Sequence, residues 1–245
     1  LTYYDGNVYM GGSFTHLSGG GSSRVYARNA GRVSLSGRPD RSWNPEISGA
    51  VQAVGVSEAN SAFYAGGHFT TAHGNQRAWY AAKFSTQPGA AVDTDFDFVP
   101  SSATAGKYQQ TIATAGNRVY IGGSEHNLFG YDAATNQRVS GAMTFSMGGD
   151  LQATTVSSKG VIYGSCHCSD AAYQDMYVWS MNGSWSRVDE IKWVGAWNAA
   201  TGESLKWTPF ELSSLRKTGA WALETDNYGN LWVGGDFTLS HTDAT

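Results

Sequence analysis

Short runs in which apolar and polar residues alternate recur along the whole chain, separated by turns rich in glycine and asparagine. Asp5-Gly6-Asn7 and Ala115-Gly116-Asn117 are two of these turns. Glycine and asparagine accept the positive φ angles that tight hairpins require. Alternation with a period of two is typical of strands with one buried face. The pattern predicts an all-β protein built from many short strands.

One phrase of the sequence occurs repeatedly, and it centres on a Gly-Gly pair. The copies read VYMGGSFT at 8–15, FYAGGHFT at 63–70, VYIGGSEH at 119–126 and LWVGGDFT at 231–238. A degenerate copy, VIYGSCH at 161–167, is expected to have Ser165 in the place of the second glycine. Most intervals between copies are roughly 40–55 residues, which is the length of a propeller blade.

Further segments recur around each copy of the phrase. An alternating run precedes it, another follows it, and a last segment ends in an aromatic residue, any residue and proline, at Pro45, Pro100 and Pro209. Proline suits an outer edge strand, where its missing N–H breaks no ladder bond. We therefore predict a β-propeller of four-stranded antiparallel blades. A β-helix would need shorter coils, and a sandwich would not repeat so regularly.

The repeats divide the chain into blades of a single domain covering 1–245. The predicted blades are a partial one at 1–45, complete ones at 50–100, 108–146 and 150–209, and a partial one at 218–245. At least five blades are thus represented. Because the chain opens inside a repeat, we expect it to be a piece of a longer protein, and closure of the ring would need residues beyond its ends or a different partner.

Composition and charge exclude several classes of partner. The chain has 245 residues, of which 41% are hydrophobic and 15% charged, and its net charge is −4. Nucleic acid is an unexpected partner because phosphate binding needs a clustered cationic face, and the chain has no basic run. No apolar run approaches the roughly 20 residues that a spanning helix needs, so we expect no membrane insertion.

The Gly-Gly-x-Phe-Thr phrases, together with DAATN at 132–136 and NAATG at 198–202, resemble the repeats of secreted actinobacterial β-propeller proteins. The resemblance covers nearly the whole chain. It implies a secreted or cell-surface protein that serves in adhesion, lectin-like binding or as a scaffold. GGSEHN in the third blade and YGSCHCSD in the fourth depart from the pattern.

All six histidines lie in or just after the Gly-Gly phrases, and five of them fall in the connection to the following strand. These five are His16, His73, His126, His167 and His241. In a propeller such connections emerge on one face, so the five side chains are expected there together. They are either solvated turn residues copied by duplication or a ring of imidazoles that binds a ligand, with binding that depends on pH. Their unequal positions speak against a single metal site, and no metal or cofactor is expected.

The fourth repeat carries an insertion at 169–191 that is rich in aromatic residues: Tyr173, Tyr177, Trp179 and Trp185. The alternation in MYVWSMNGSWSRV and its Asn182-Gly183 pair predict an extra hairpin. By its connection this hairpin is expected on the histidine face. Exposed aromatic rings beside small polar groups suit sugar binding, and the alternative is that these rings pack the hairpin onto its blade.

Cys166 and Cys168 are the only cysteines. Residues i and i+2 of a strand lie about 6.6 Å apart, which a small kink reduces to disulfide range. We therefore predict a local disulfide. A Cys-His-Cys metal site with a fourth ligand such as Asp170 or His126, and a pair of free thiols, are the alternatives.

Three classes of function remain open. The preferred one is a non-catalytic extracellular binding module that recognises a glycan or a cell-surface protein through the face bearing the insertion. The second is a structural propeller that docks other domains or subunits of a larger secreted assembly. The third is a glycan-active enzyme, for which Glu125, Asp170, Asp175, Asp189 and Glu190 supply carboxylates but no spacing that selects a pair.

Overall fold

The computed structural model describes residues 1–100, 107–145, 149–168, 171–178, 184–207, 210–213, 219–237 and 239–242. Within these ranges the regular structure is β-strand apart from one 3-10 turn, Glu58–Asn60. No helix in the described ranges has the length and apolar character to cross a membrane. The prediction of an all-β protein is confirmed.

The strands group into five main sheets and several small hairpins. The first repeat contains β1 (Thr2–Tyr4), β2 (Asn7–Gly11), β3 (His16–Gly19), β4 (Ser22–Tyr26) and β5 (Ala30–Ser34). The second contains β6 (Ala50–Ser57), β7 (Ala62–His68), β8 (Thr71–Ala72), β9 (Gln76–Arg77) and β10 (Ala81–Ser85). The third contains β11 (Gln109–Ala115), β12 (Arg118–Gly123), β13 (Asn127–Asp132) and β14 (Arg138–Phe145).

The remaining strands follow the same order. The fourth repeat contains β15 (Leu151–Val156), β16 (Val161–Cys166), β17 (Ala171–Gln174), β18 (Arg187–Glu190) and β19 (Val194–Asn198). Then come β20 (Phe210–Ser213), β21 (Gly219–Thr225), β22 (Leu231–Asp236) and β23 (Leu239–Thr242). The main sheets have the orders β1-β2-β5, β6-β7-β10, β11-β12-β13-β14, β15-β16-β19 and β21-β22, all antiparallel, and β20 pairs with β23.

The first strand of each main sheet lies next to the first strand of the following sheet. The strands β1, β6, β11, β15 and β21 contact one another in turn, and we name them the inner strands. Hydroxyl groups join them, because Thr114 Oγ1 donates to the Val56 carbonyl at 2.9 Å and Thr225 Oγ1 to the Val156 carbonyl at 3.0 Å. The sheets therefore pack face to face around a shared axis.

Aromatic side chains fill the spaces between the sheets. Tyr9, Trp43 and Phe63 form one cluster between the first and second sheets, and all three are at most 1% exposed. The rings of Trp43 and Phe63 meet edge to face with centroids 4.9 Å apart. Full burial of a side chain of this size stabilises the fold by roughly 1.5–3 kcal/mol. The interfaces between sheets thus supply most of the apolar core.

The second glycine of the Gly-Gly phrase is required by a close approach of the backbone. A Cβ atom at Gly67 would overlap the carbonyl oxygen of Ala50, and one at Gly123 would overlap that of Tyr108. In the fourth sheet Leu151 pairs with Cys166 and Ala153 with Ser165. Cys166, and not Ser165 as the sequence suggested, therefore occupies the second glycine position, since the repeat is shifted by one residue there.

A basic side chain joins each of the first three sheets to the turn of the next. Arg32 Nη1 donates to the Thr86 carbonyl at 2.5 Å, Lys83 Nζ to that of Ala133 at 2.9 Å and Arg118 Nε to that of Ala200 at 3.0 Å. Each base also contacts an acid of its own repeat: Asp40, Asp93 and Asp132, respectively. All three ties reach the turn after the third strand of the next sheet, and they hold consecutive sheets in register.

Within the described residues, most of the predicted fourth strands are not formed. The third repeat has a fourth strand, β14, but in the other complete repeats the segment is reduced to single bridges, Phe84 with Val92 and Trp197 with Ser204. In the first and second repeats, aspartate side chains explain why this segment forms no strand ladder. Asp40 accepts a hydrogen bond from Ser42 N and Asp93 from Asp95 N, so each side chain stabilises a turn in place of a strand ladder. Pro209 lies outside the described residues.

The insertion forms a hairpin, but with a different stem and position from those expected. Its strands β17 and β18 pair with each other, and β17 continues the third sheet by pairing with β14, which makes that sheet six-stranded. Asn182-Gly183 lies outside the described residues. The hairpin starts after the Gly-Gly end of β16 and then runs along the outer edge of the preceding sheet. Two smaller hairpins, β3–β4 and β8–β9, arise from the same connection in their repeats, and we name all three the outer hairpins.

Candidate ligand-binding site

Four inner strands carry the same irregularity opposite their Gly-Gly phrases. The register shifts by one residue between 51 and 53, 109 and 111, 151 and 153, and 220 and 222. The extra residues are Gln52, Gln110, Gln152 and Trp221. Because the inner strands are neighbours, these residues lie at one end of the axis, which we name the glycine end. Bulges of this kind re-aim side chains and are frequent beside functional sites.

Tryptophan replaces glutamine at the last of these positions. The Trp221 side chain is 44% exposed, and its ring centroid lies 5.8 Å from that of His167 with the planes inclined by 33°. In contrast, Gln110 at the equivalent position donates through Nε2 to the Leu151 carbonyl of the next sheet at 2.7 Å. The replacement therefore exchanges an amide that joins neighbouring inner strands for a large, partly exposed aromatic surface.

The loop that carries His167 also meets a second imidazole and a carboxylate. His126 Nε2 is 3.3 Å from Asp150 Oδ1, and His126 Nδ1 is 3.0 Å from the Thr144 carbonyl. His167 belongs to the same loop pair, because its N–H donates to the Asp150 carbonyl and its carbonyl accepts from Gly149 N, both at 2.8 Å. Consecutive sheets thus bring His126, Asp150, His167 and Trp221 to one place at the glycine end.

Burial changes the protonation of this cluster. It lowers the pKa of His126 to about 4, and the nearby Lys107 and His167 lower it further, while the hydrogen bond to Thr144 acts in the opposite direction. Burial also raises the pKa of Asp150, against the attraction of His167 and Lys107. Both groups are therefore biased toward their neutral forms. The carbonyl oxygen of Thr144 can only accept, so Nδ1 must carry the proton of that hydrogen bond. The contact between Nε2 and Asp150 Oδ1 then needs a second proton, carried either by the imidazole or by the carboxyl group.

A buried polar network supports the loop that carries His126. Gln109 Nε2 donates to Glu125 Oε2 at 3.0 Å, and Asn127 Nδ2 donates to Gln109 Oε1 at 3.3 Å. All three side chains are at most 1% exposed. His126 itself has a φ of 63°, a left-handed conformation that the surrounding structure must impose. The network therefore fixes the position of the imidazole.

The structure divides the histidines that the sequence grouped together. His126 and His167 meet at the glycine end, whereas His16 and His73 belong to outer hairpins. His16 Nδ1 accepts from Arg24 Nη2 at 3.0 Å, and His73 Nε2 donates to the Ala90 carbonyl at 2.7 Å. His241 is a residue of β23. His16 and His73 are thus held by local contacts on the rim.

The aromatic residues of the insertion pack largely against its own surroundings. Tyr173 and Tyr177 pack on the core between the second and third sheets, and Arg138 lies over the Tyr177 ring, 4.5 Å from its centroid. Trp185 contacts Tyr173 edge to face at 5.3 Å and is 39% exposed. Trp179 lies outside the described residues. A ligand-binding role for these rings stays a prediction, at a site separate from the glycine end.

Cys166 and Cys168 form a disulfide on either side of His167. Their Cα atoms are 5.1 Å apart, closer than in an ideal strand, because β16 ends at Cys166. In the described part of the chain, no group of three or more histidine, cysteine, aspartate or glutamate side chains could hold a metal ion. The short cross-link holds His167 in the bend between its two neighbours.

The carboxylates considered for catalysis have structural partners. Glu125 is buried in the network with Gln109, and Asp189 accepts two hydrogen bonds from Arg187 Nε at 2.9 Å each. Glu190 pairs with Lys192 at 2.9 Å, and Asp175 accepts from the Ser186 hydroxyl. Asp170 lies outside the described residues. Among the described carboxylates, these contacts assign structural roles to the candidates.

The sequence analysis missed Trp221 and Asp150, although one signal was present. The inner-strand runs contain AVQA, YQQT, DLQA and GAWA at 50–53, 108–111, 150–153 and 219–222. Aligned on the Gly-Gly phrases, they show glutamine three times and tryptophan once. A change of residue type at one repeated position was a better guide to the site than the histidines shared by all repeats.

Comparison with known proteins supports the fold only. No protein-family description matches the chain, and no curated protein matches it. Among solved structures, the WD40 β-propeller domain of Doa1 superimposes with a TM-score of 0.52 at 12% identity, over 96% of this chain and 59% of that one. The structure of U3-55K gives 0.41 at 11% identity, over 72% of this chain and 56% of that one. The chain thus spans less than two thirds of these structures.

The repeated sheets and the similarity to the Doa1 domain show a β-propeller repeat protein. Within the described residues no sheet joins the first repeat to the last. The predicted number of blades and the manner of closure stay predictions.

Proposed function

We propose that this protein is a non-catalytic binding module that takes a carbohydrate at the glycine end, against Trp221. The observation that carries the proposal is the replacement of a repeated glutamine by a half-exposed tryptophan. Its ring contacts the imidazole of His167, whose backbone is hydrogen-bonded to Asp150. A sugar ring stacks its C–H face on an aromatic ring, and its hydroxyls need donors and acceptors at the edge of that ring. Trp221, His167 and Asp150 offer this combination within one cluster.

The polar groups of the cluster suit neutral hydroxyls better than a charged ligand. Asp150 is partly buried and biased toward its neutral form, so hydroxyls that donate to it or accept from it replace water without adding net charge. Two amide side chains lie at the same end of the axis: Gln52 is exposed and Gln152 is half-buried. The disulfide beside His167 supports an extracellular location, since disulfides persist in oxidising compartments.

Binding to a glycan array by the intact chain and its Trp221→Ala variant tests this function. Stacking on an aromatic ring is worth on the order of 1 kcal/mol beyond the area buried, so the variant should lose binding by roughly tenfold or more. Trp185→Ala is the matched control, because Trp185 is exposed to a similar degree on an outer hairpin. It should bind as the unmodified chain does.

A protein-docking scaffold is the second candidate function. It is favoured by Trp232, which is 64% exposed on β22, since exposed aromatic residues are enriched at protein interfaces. Absence of binding to every glycan would favour this candidate. Loss of binding in Trp185→Ala with retention in Trp221→Ala would instead move the carbohydrate site to the insertion.

A further inference from the structure

An open groove of about 670 Å³ lies between the outer hairpin β3–β4 and the turn that follows β5. None of its lining residues belongs to the cluster around Trp221, which is built from the third to fifth sheets. Its walls include Ser22 and Ser23 from the hairpin, Ser34 at the end of β5, and Arg38 and Arg41 from the turn. The groove thus combines hydroxyl groups with two guanidinium groups.

Glycine residues place the hairpin tip directly on this turn. Gly20 has a φ of +55°, and a Cβ atom there would lie 2.8 Å from Arg38 N and 2.9 Å from Ser36 O. A Cβ atom at Gly19 would lie 2.6 Å from Gly37 O. The turn is held in addition by a hydrogen bond from Arg38 N to Ser34 Oγ at 3.2 Å. The walls of the groove are therefore fixed by backbone contacts rather than by mobile side chains.

The charge of the groove is positive in a protein whose net charge is −4. Among the described residues, neither Arg38 nor Arg41 forms an ion pair. The acid of the groove, Asp40, is already neutralised, because Oδ2 contacts Arg32 Nη2 at 2.6 Å. Its other oxygen, Oδ1, accepts from the N–H and the hydroxyl of Ser42 at 2.7 Å each.

The fourth repeat has a groove in the equivalent place, and its chemistry differs. This second groove, of about 270 Å³, lies between the outer hairpin β17–β18 and the turn after β19. Two acids, Asp175 and Glu203, line it, and its arginine, Arg187, is bound to Asp189. Of these two grooves, only that of the first repeat has an excess of positive charge. An outer hairpin facing the turn of its own repeat does not by itself produce such a charge.

We propose that the groove of the first repeat binds a tetrahedral oxyanion, a sulfate or phosphate group carried by a ligand. Guanidinium groups present parallel N–H donors that match the oxygens of such groups, and charge-assisted hydrogen bonds of this kind are the stronger ones in proteins. The hydroxyls of Ser22, Ser23 and Ser34 supply further donors. The proposal uses none of the residues of the carbohydrate site, so each stands or fails independently.

Calorimetric titration of the full chain with sodium sulfate and with sodium phosphate tests the proposal, with sodium chloride keeping the ionic strength constant. Saturable binding is expected, and Arg38→Gln and Arg41→Gln should each weaken it by roughly tenfold. Arg24→Gln is the matched control, since Arg24 is an exposed arginine of the same hairpin that contacts His16 outside the groove. It should leave the affinity unchanged.

Titration with glucose 6-sulfate and glucose 6-phosphate distinguishes the two sources of the anion. Preference for the sulfate ester assigns the groove to sulfated ligands, and preference for the phosphate ester assigns it to phosphorylated ones. The proposal is overturned if neither inorganic anion binds saturably. It is also overturned if Arg24→Gln weakens binding as much as Arg38→Gln, because the attraction would then be a general effect of surface charge.

Discussion

The glycine end of the inner strands is nearly the same in each repeat, whereas the outer hairpins differ in length from one repeat to the next. At the glycine end, four consecutive sheets share a bulge at the same register, and three of them have a second glycine where a Cβ atom would meet backbone. The outer hairpins share only their point of origin. Their strands have four and five residues in the first repeat, two and two in the second, and four and four in the fourth.

The difference shows where a repeated fold is free to change. Backbone meets backbone at the axis, so the side chains allowed there are few and a single exception, Trp221, is informative. On the rim each hairpin contacts only its own turn or the neighbouring edge, so its length and charge vary without disturbing the sheets. The two proposed sites reflect this difference. The carbohydrate site is built around Trp221, the one exception at a repeated position, and the anion groove lies on the variable rim.

The largest effect is expected at the axis, in Gly67→Ala. A methyl group there would overlap the carbonyl oxygen of Ala50, and because backbone cannot move aside like a flexible side chain, we expect the free energy of unfolding to fall by about 3 kcal/mol or more. Gly234→Ala is the control, since its nearest neighbour would be Ala222 Cβ at 3.7 Å. It should change the free energy by less than about 1 kcal/mol. Urea unfolding measures both, and equal effects would refute the close-approach explanation.

The second prediction compares two ion pairs: one whose lysine also bonds to the next sheet, and one on the rim. Lys83 and Asp93 are 2.9 Å apart with side chains 11% and 30% exposed, and Lys83 also reaches the next repeat through Ala133 O. Lys83→Met leaves a partly buried carboxylate without its cation, so a loss of about 3 kcal/mol is expected. Arg77 and Asp97 are 3.2 Å apart and both more than half exposed.

Arg77→Met should therefore cost less than about 1 kcal/mol, because water screens exposed pairs. The two variants remove the same kind of charge, and unfolding by urea at neutral pH gives both values. A loss in Arg77→Met as large as that in Lys83→Met would mean that the tie between sheets adds nothing beyond an ordinary surface ion pair.

The sequence predicted the inner part of the fold well and the outer part poorly. The runs at 50–57 and 109–115 coincide with β6 and β11, because alternation and the following turn together determine an inner strand. In the first and second repeats the predicted fourth strand does not form, because Asp40 and Asp93 bind nearby N–H groups, a local competition that alternation does not reveal. The insertion forms the predicted hairpin, but its position was missed for another reason. A hairpin signal indicates pairing within the segment, but not that β17 would join the edge of the preceding sheet.

The smallest effect is expected in the pH dependence of stability. This measurement compares His126, at the glycine end, with His16, on an outer hairpin. The pKa of His126 is about 4 in the folded protein and about 6.5 in an unfolded chain. Between these values the unfolded state binds a proton that the folded state does not, so stability should fall as the pH decreases from about 6.5 to 4. Asp150 opposes this, since its raised pKa lets the folded state bind a proton first.

Allowing for that opposition, we expect His126 to account for a loss on the order of 2 kcal/mol between pH 7 and pH 4. His126→Asn tests this, because asparagine tolerates the left-handed φ of 63° at this position. Urea unfolding at both pH values should show a smaller difference in His126→Asn than in the unmodified chain. His16→Asn, on the outer hairpin, should retain the full difference. If both variants behave alike, the acid sensitivity arises elsewhere, and burial at the glycine end does not control the charge of the imidazole beside Asp150.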